Sequence, residues 1–157
     1  MRNNLENKDI LPHNILKAIY LIIEKTPNVV FGGSIALNAV GLINRKVSDI
    51  DIFFPLDESL TGNGFLPIEN TEILSDTVTN VNGKEIQRTG LIVNGVKVCC
   101  FKVSDEELSH SKINLLGRTI CIQNVNYAIE AKRTYADKNN KHKEDLKTIE
   151  SNLFNLF

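Results

Sequence analysis

"VVFGGSIALNAVGLINRKVSDIDIFF", residues 29–54, is the stretch on which the reading of the whole chain turns. Its opening "VVF" lies between the proline turn "TPN" and a pair of glycines. Two β-branched residues and an aromatic so bounded read as a short buried strand. Ser34 follows the glycines where a helix cap belongs, and "IALNAVG" supplies about two helical turns ending at Gly41. "DIDIFF" then alternates strictly, with Ile50, Ile52 and Phe54 on one face of a strand and Asp49, Asp51 and Phe53 on the other. Pro55 closes that strand.

The two halves of the stretch carry complementary chemistry. A strand that runs into Gly32, Gly33 and a helix start lets backbone amides approach a phosphate closely, and the positive end of the helix adds attraction. Ser34 offers a hydroxyl donor as well. Asp49 and Asp51, at i and i+2 on a strand, share a face on which close like charges repel unless a cation lies between them. Hard oxygen ligands suit magnesium, which takes one or two carboxylates together with substrate phosphates. Each half alone has a plainer reading: a glycine turn that only connects two elements, and an acidic outer face on an edge strand.

Working outward, 157 residues suffice for one ordinary core, so a single domain over 1–157 is expected. Eighteen basic residues against nineteen acidic ones leave a net charge of −1 and no global field that draws the chain onto nucleic acid or anionic lipid. Cys99, Cys100 and Cys121 are too few and too oddly spaced for a disulfide framework, which points to a reducing, cytoplasmic setting. The first residues lack the apolar core of a secretory signal, and no apolar run approaches the roughly 20 residues of a membrane span, so no membrane association is expected. His13, His110 and His142 stand at no zinc-ligand spacing.

Helical spacing of Leu11, Ile15, Ala18, Ile19, Ile22 and Ile23 predicts an opening helix over 11–24. A loop is expected over 57–70, where "TGNGF" suits closure over a substrate but reads by default as a connector. The "NG" pairs at 82–83 and 94–95 predict a hairpin meander through 77–103. "SDEE" at 104–107 has the form of a capping box and predicts the start of a short helix, "TICIQ" after Gly117 is a short strand, Asn124 or Asn126 caps a helix over about 125–138, and a last helix runs from about 141 towards 154. The expected fold class is α+β, a mixed sheet with the helices packed on one side. The terminal "NLFNLF" fits either a homodimer or protein contact or the packing of the last helix onto its own domain.

The order of a hydrophobic strand, "GGS", a short helix and an Asp-x-Asp strand resembles the nucleotidyltransferase superfamily, with its DNA polymerase beta-like fold. Its carriers are Gly32, Gly33, Ser34, Asp49 and Asp51, with Arg45 and Ser48 in "RKVSDID". The later stretch is similar to small bacterial and phage nucleotidyltransferase-like proteins, some of them toxin or antitoxin components: a "GVKVCCF" strand, a helix ending "KRTY", then "KHKEDL". The likeness covers about 15–150. It implies that the glycine-serine turn holds a nucleoside triphosphate and that Asp49 and Asp51 bind two magnesium ions, or manganese in their place. It also implies that the basic groups of the late motif, Lys132, Lys141 and Lys143, lie near the nucleotide, and that Arg45 binds the nucleotide as well; His142 and Asp145 complete that motif. A nucleoside monophosphate would pass to a hydroxyl of an unknown acceptor, whether protein, RNA or small molecule.

The same lysines have a plainer reading as a solvated helix face, and Asp145 as a holder of a neighbouring lysine. The chain also departs from the pattern at one place. The family's third carboxylate falls at Cys99, and a thiol is neutral near pH 7 and a poor ligand for a hard cation. Glu85, Asp76 and Asp105 are the candidates for a replacement. Without one, the competing expectation is a catalytically degenerate module that binds a nucleotide or a protein.

Overall fold

The computed structural model describes residues 4–55, 72–81, 84–136 and 139–155, with the side chains of 73–86 and 155 outside the description. The loop expected over 57–70, with "TGNGF", and the first "NG" pair lie outside the described residues.

The opening helix α1 spans His13–Lys25 and buries Ile15, Ala18, Ile19, Ile22 and Ile23, the residues that its periodicity selects. Thr26 ends it by donating its backbone N–H to the Ile22 carbonyl. Strand β1 is only Val30–Phe31, and α2 follows as Gly33–Ala39. Gly32, not Ser34, occupies the cap position; Ser34 lies inside the first turn, where its carbonyl accepts from Asn38 Nδ2 at 2.8 Å. The chain turns into the helix at Gly33, whose φ of +55° suits glycine, so the helix begins before the serine. Gly41, at φ +81°, closes α2 as expected.

Strand β2, Ile50–Pro55, alternates as the sequence does, with Ile50, Ile52 and Phe54 buried and Asp51, Phe53 and Pro55 partly open. The meander comprises β3 (Glu72–Val81), β4 (Lys84–Val93) and β5 (Val96–Val103). The Asn94–Gly95 turn has positive φ at both residues, the mirror-image geometry that matches strand twist. "DEEL" forms a 3-10 turn at Asp105–Leu108, and Ser104 makes no side-chain cap bond there, so the expected capping box does not form. A strand not foreseen in the sequence, β6 (His110–Leu115), pairs antiparallel with β7 (Arg118–Gln123). Asn124, rather than Asn126, caps α3 (Val125–Tyr135), its side chain accepting from the Asn126 N–H, and α4 spans Asn140–Asn155.

Among the described residues, seven strands form one mixed sheet in the order β3-β4-β5-β2-β1-β7-β6, with the helices on one side, an α+β architecture. Strand β2 runs parallel to β5 and antiparallel to β1, and β1 runs parallel to β7. The main core joins α1 and α2 to the apolar sheet face of Phe31, Ile50, Ile52, Val98 and Cys100. Each such fully buried aliphatic side chain contributes about 1.5–3 kcal/mol. A smaller cluster, Leu37, Ile43, Ala128, Ile129 and Ile149, ties α2 to α3 and α4, and Leu153 packs against it. Phe154 is 81% exposed. Of the described residues of the terminal motif, Leu153 therefore serves the domain's own packing and Phe154 faces outward, while 156–157 lie outside the described residues. Among the described residues, no helix is long and apolar enough to cross a membrane.

Candidate functional site

The glycine turn and the second aspartate meet directly. Gly32 donates its N–H to the Asp51 carbonyl at 3.0 Å, and a Cβ added at Gly33 would collide with Asp51 Oδ2. A Cβ at Gly32 would strike the Phe53 ring and stand 2.7 Å from Gln123 Oε1. Both glycines are required because the sheet face presses against the start of α2. Asp49 is exposed at the beginning of the same face. Gly32, Gly33, Ser34, Asp49 and Asp51 thus form one region, built by residues 17 or so apart in the chain but adjacent in space.

Burial holds the Asp51 carboxyl above the ordinary aspartate range; Lys132 opposes this, Asp49 adds to it, and Arg88 and Lys97 oppose it further. The side chain therefore lies among three cations and one like charge. Two carboxylates so placed offer oxygen ligands to one divalent cation. Among the described residues, no group of three His, Cys, Asp or Glu side chains is arranged to hold a metal ion.

Cys99 stands directly beside Asp51 in the parallel register of β2 and β5. Strand parity puts Lys97 and Phe101 on its face, and Lys97 is exposed while Phe101 is partly so. Cys99 itself is only 4% exposed. Arg88 Nη2, from β4, donates to its Sγ at 3.1 Å. Burial pushes the Cys99 thiol up, Asp51 pushes it further, and Arg88 pulls it back without reversing the shift. The thiol is thus a neutral group at the position of the expected third carboxylate. Two of the proposed replacements have distant backbones: Asp76 is paired through Thr89 and Cys100 to a position three strands from β2, and Glu85 precedes the β4 residues that pair with β5; Asp105 lies past the end of β5, in the 3-10 turn. Strand spacings set the backbones of Asp76 and Glu85 about 13 Å or more from Asp51.

Arg88 is the residue that sequence reading missed, although a signal existed. The Asn94–Gly95 turn pairs Val93 with Val96 and, counting back, Gly90 with Cys99. Gly90 has no side chain, so Arg88, two residues earlier on the same face, can reach across to the thiol. The guanidinium carbon also lies 6.0 Å from the Phe101 ring centre, and Phe101 stacks on Phe53 with centroids 5.2 Å apart.

The late motif is organised around Asp145. Arg45 grips its carboxylate with Nε and Nη2, both at 2.6 Å, and Lys132 Nζ meets Oδ2 at 2.8 Å. Lys132 Nζ also lies 3.0 Å from His142 Nδ1. Burial alone would raise the Asp145 carboxyl, but the hydrogen bonds from Arg45 and Lys132 outweigh it and hold it below the usual range. Burial and the neighbouring Lys132 lower the His142 pKa, so the imidazole is neutral near pH 7 and accepts from the ammonium. Of the basic residues expected at a nucleotide, Arg45 and Lys132 are bound to Asp145, with Lys132 still acting on Asp51. Lys141 donates to Ser48 Oγ at 3.0 Å and so is held next to Asp49, whereas Lys143 is exposed on α4.

No family model matches the chain, and no curated protein matches it. Among solved structures it is similar to JHP933 from Helicobacter pylori, with 15% sequence identity and a TM-score of 0.42 over 78% of this chain and 57% of that one. The chain thus spans little more than half the length of that protein.

Proposed function

We propose that this chain is a nucleotidyltransferase-like protein that binds a nucleoside triphosphate with magnesium and passes a nucleoside monophosphate to a hydroxyl of a protein, RNA or small molecule. The contact of Gly33 with Asp51 carries this reading, because it joins the phosphate-suited turn and the acidic strand into one site. Gly33 and Ser34 would cradle the phosphates through amides that have no acceptor within the helix, while Gly32, its own N–H held by the Asp51 carbonyl, would keep the turn open for close approach. Asp49 and Asp51 would hold magnesium, which when bound supplies charge neutralisation on the phosphates. Lys141, held beside Asp49, and Lys132, acting on Asp51, add positive charge there. In the transfer, the acceptor oxygen forms a bond to the α-phosphorus, the bond to the β-phosphate oxygen breaks, the hydroxyl proton is lost to solvent and pyrophosphate departs. An intracellular, reducing setting belongs to the same reading, supported by three cysteines that are all buried and unbridged.

A second reading, a degenerate module that binds nucleotide without transferring it, is favoured by Cys99. A missing general base costs about 10² to 10⁴ in rate while leaving binding intact. Incubation with each α-labelled triphosphate, magnesium or manganese and a cell extract separates the two. Label transfer by the wild type that vanishes in Asp51→Asn is the expected result for the enzyme. Metal-dependent binding without transfer selects the module, and absence of nucleotide binding under either metal removes both.

A further inference from the structure

The Lys132 ammonium, in the last turn of α3, has three hydrogens to place, and two of their acceptors stand on α4. Asp145 Oδ2 lies 2.8 Å from Nζ and His142 Nδ1 3.0 Å from it, on residues that share one side of the helix. An ammonium only donates, so His142 Nδ1 carries no hydrogen and the imidazole's own sits on Nε2. We propose that His142 is a positioning residue: its neutral imidazole and Asp145 together fix the Lys132 ammonium so that the third N–H points towards Asp51 and the phosphates bound there. This rests on the nucleotide-binding reading above, common to the enzyme and the module.

Two contacts do what one could not. A single hydrogen bond to Asp145 leaves an ammonium free to spin about that axis, and the second contact, from His142, stops the rotation. Asp145 is itself clamped, because Arg45 Nε and Nη2 hold its two oxygens. Lys132 is only 7% exposed, so its stem is held too, and of the cations around Asp51 it acts most strongly on that carboxyl. The device works in one protonation state. An imidazolium has no lone pair to offer Lys132 and sets a like charge beside it. The groups facing the imidazole are Lys132 and Tyr135 from α3, Lys141 and Asp145 from α4, and Arg45 from the segment before β2. Three cations against one carboxylate favour the neutral ring, in keeping with a His142 pKa held below the ordinary 6.5 by burial and by Lys132. Positioning is therefore complete above the lowered value and lost as pH falls through it.

Two variants separate His142 from the other titrating groups. His142→Asn sets a permanent acceptor, Oδ1, where Nδ1 stood, and His142→Leu removes it. Affinity of the full chain for the α,β-methylene analogues of the four common ribonucleoside triphosphates, with magnesium, is measured by calorimetry from about pH 7.5 to about pH 5, with folding checked by circular dichroism. At the upper end His142→Asn is expected to bind within about threefold of wild type and His142→Leu about tenfold more weakly, as for the loss of one hydrogen bond from a charged group. Towards the lower end wild type should lose about tenfold relative to His142→Asn. Protonation of Asp51 and of the nucleotide is common to both and cancels in that ratio. Parallel pH profiles for wild type and His142→Asn, or unchanged affinity in a folded His142→Leu variant, would overturn the inference and leave the nucleotide-binding reading standing. Absence of binding by wild type at every pH would overturn both. In the nucleotide-free chain, long-range proton–nitrogen NMR is expected to find the His142 hydrogen on Nε2; finding it on Nδ1 would overturn the inference by itself.

Discussion

Gly33 is the residue at which backbone conformation and site chemistry coincide. Its φ of +55° would cost an L-residue about 1–2 kcal/mol, and an added Cβ would also displace the Asp51 carboxylate. Gly33→Ala is therefore expected to lose at least about 1 kcal/mol in urea unfolding and to abolish metal-dependent nucleotide binding. Asp145 presents a different balance. Asp145→Asn leaves the buried Lys132 ammonium without its counter-charge and Arg45 without its fork, at a cost of about 3 kcal/mol at pH 7. Because the folded pKa lies below the ordinary aspartate value of about 3.8, the contribution is complete above that pH and is lost as pH falls through the lowered value. Urea unfolding of wild type and variant should thus show a gap at pH 7 that narrows below pH 3.8. The pairing partner of Asp145 was only half legible in the chain. A holder of a neighbouring lysine follows from local spacing, but the Arg45 grip spans 100 residues, and no local pattern announces it.

At the scale of elements, legibility followed the strength of periodicity. Helix α1 and strand β2 each have one wholly apolar face, and their boundaries fall within one or two residues of expectation. Strand β6 was hidden because "HSKINL" is largely exposed, with only Leu115 buried and Ile113 partly so. Its turn was hidden too: Leu116, at φ +49°, and Gly117, at φ +89°, adopt the same positive pair as Asn94–Gly95, but leucine is no signal for that conformation. Asn114 Oδ1 compensates by accepting the Gly117 N–H at 2.8 Å. Since the Leu116 side chain is 55% exposed, Leu116→Asn forfeits little burial and relieves the strained backbone. It is expected to raise stability by about 0.5–1 kcal/mol, read as a higher midpoint in thermal unfolding.

Across the whole molecule, the chain's resources are split between two sheet faces. One is apolar and covered by α1 and α2, and the other carries Asp51, Cys99 and Phe101 towards the start of α2 and the late motif. That split was legible from the alternation in β2 and β5. The strand order was not, because it depends on β1 and β7 meeting in parallel across about 90 residues, which only packing against the helices decides. The site inherits this division: its aspartates and glycines come from neighbouring elements early in the chain, whereas Arg88 and Cys99 arrive with the meander.

Strand β1 gives the architecture an unequal seam. It spans two residues and, among the described residues, is the sole strand linking the β3-β4-β5-β2 group to the β7-β6 hairpin. Strand β2, by contrast, is zipped to β5 over six residues. The sheet is consequently narrowest at β1, and β1 runs straight into the glycine turn. A force that parts the two strand groups would therefore meet the fewest ladder hydrogen bonds next to the place where Gly33 touches Asp51.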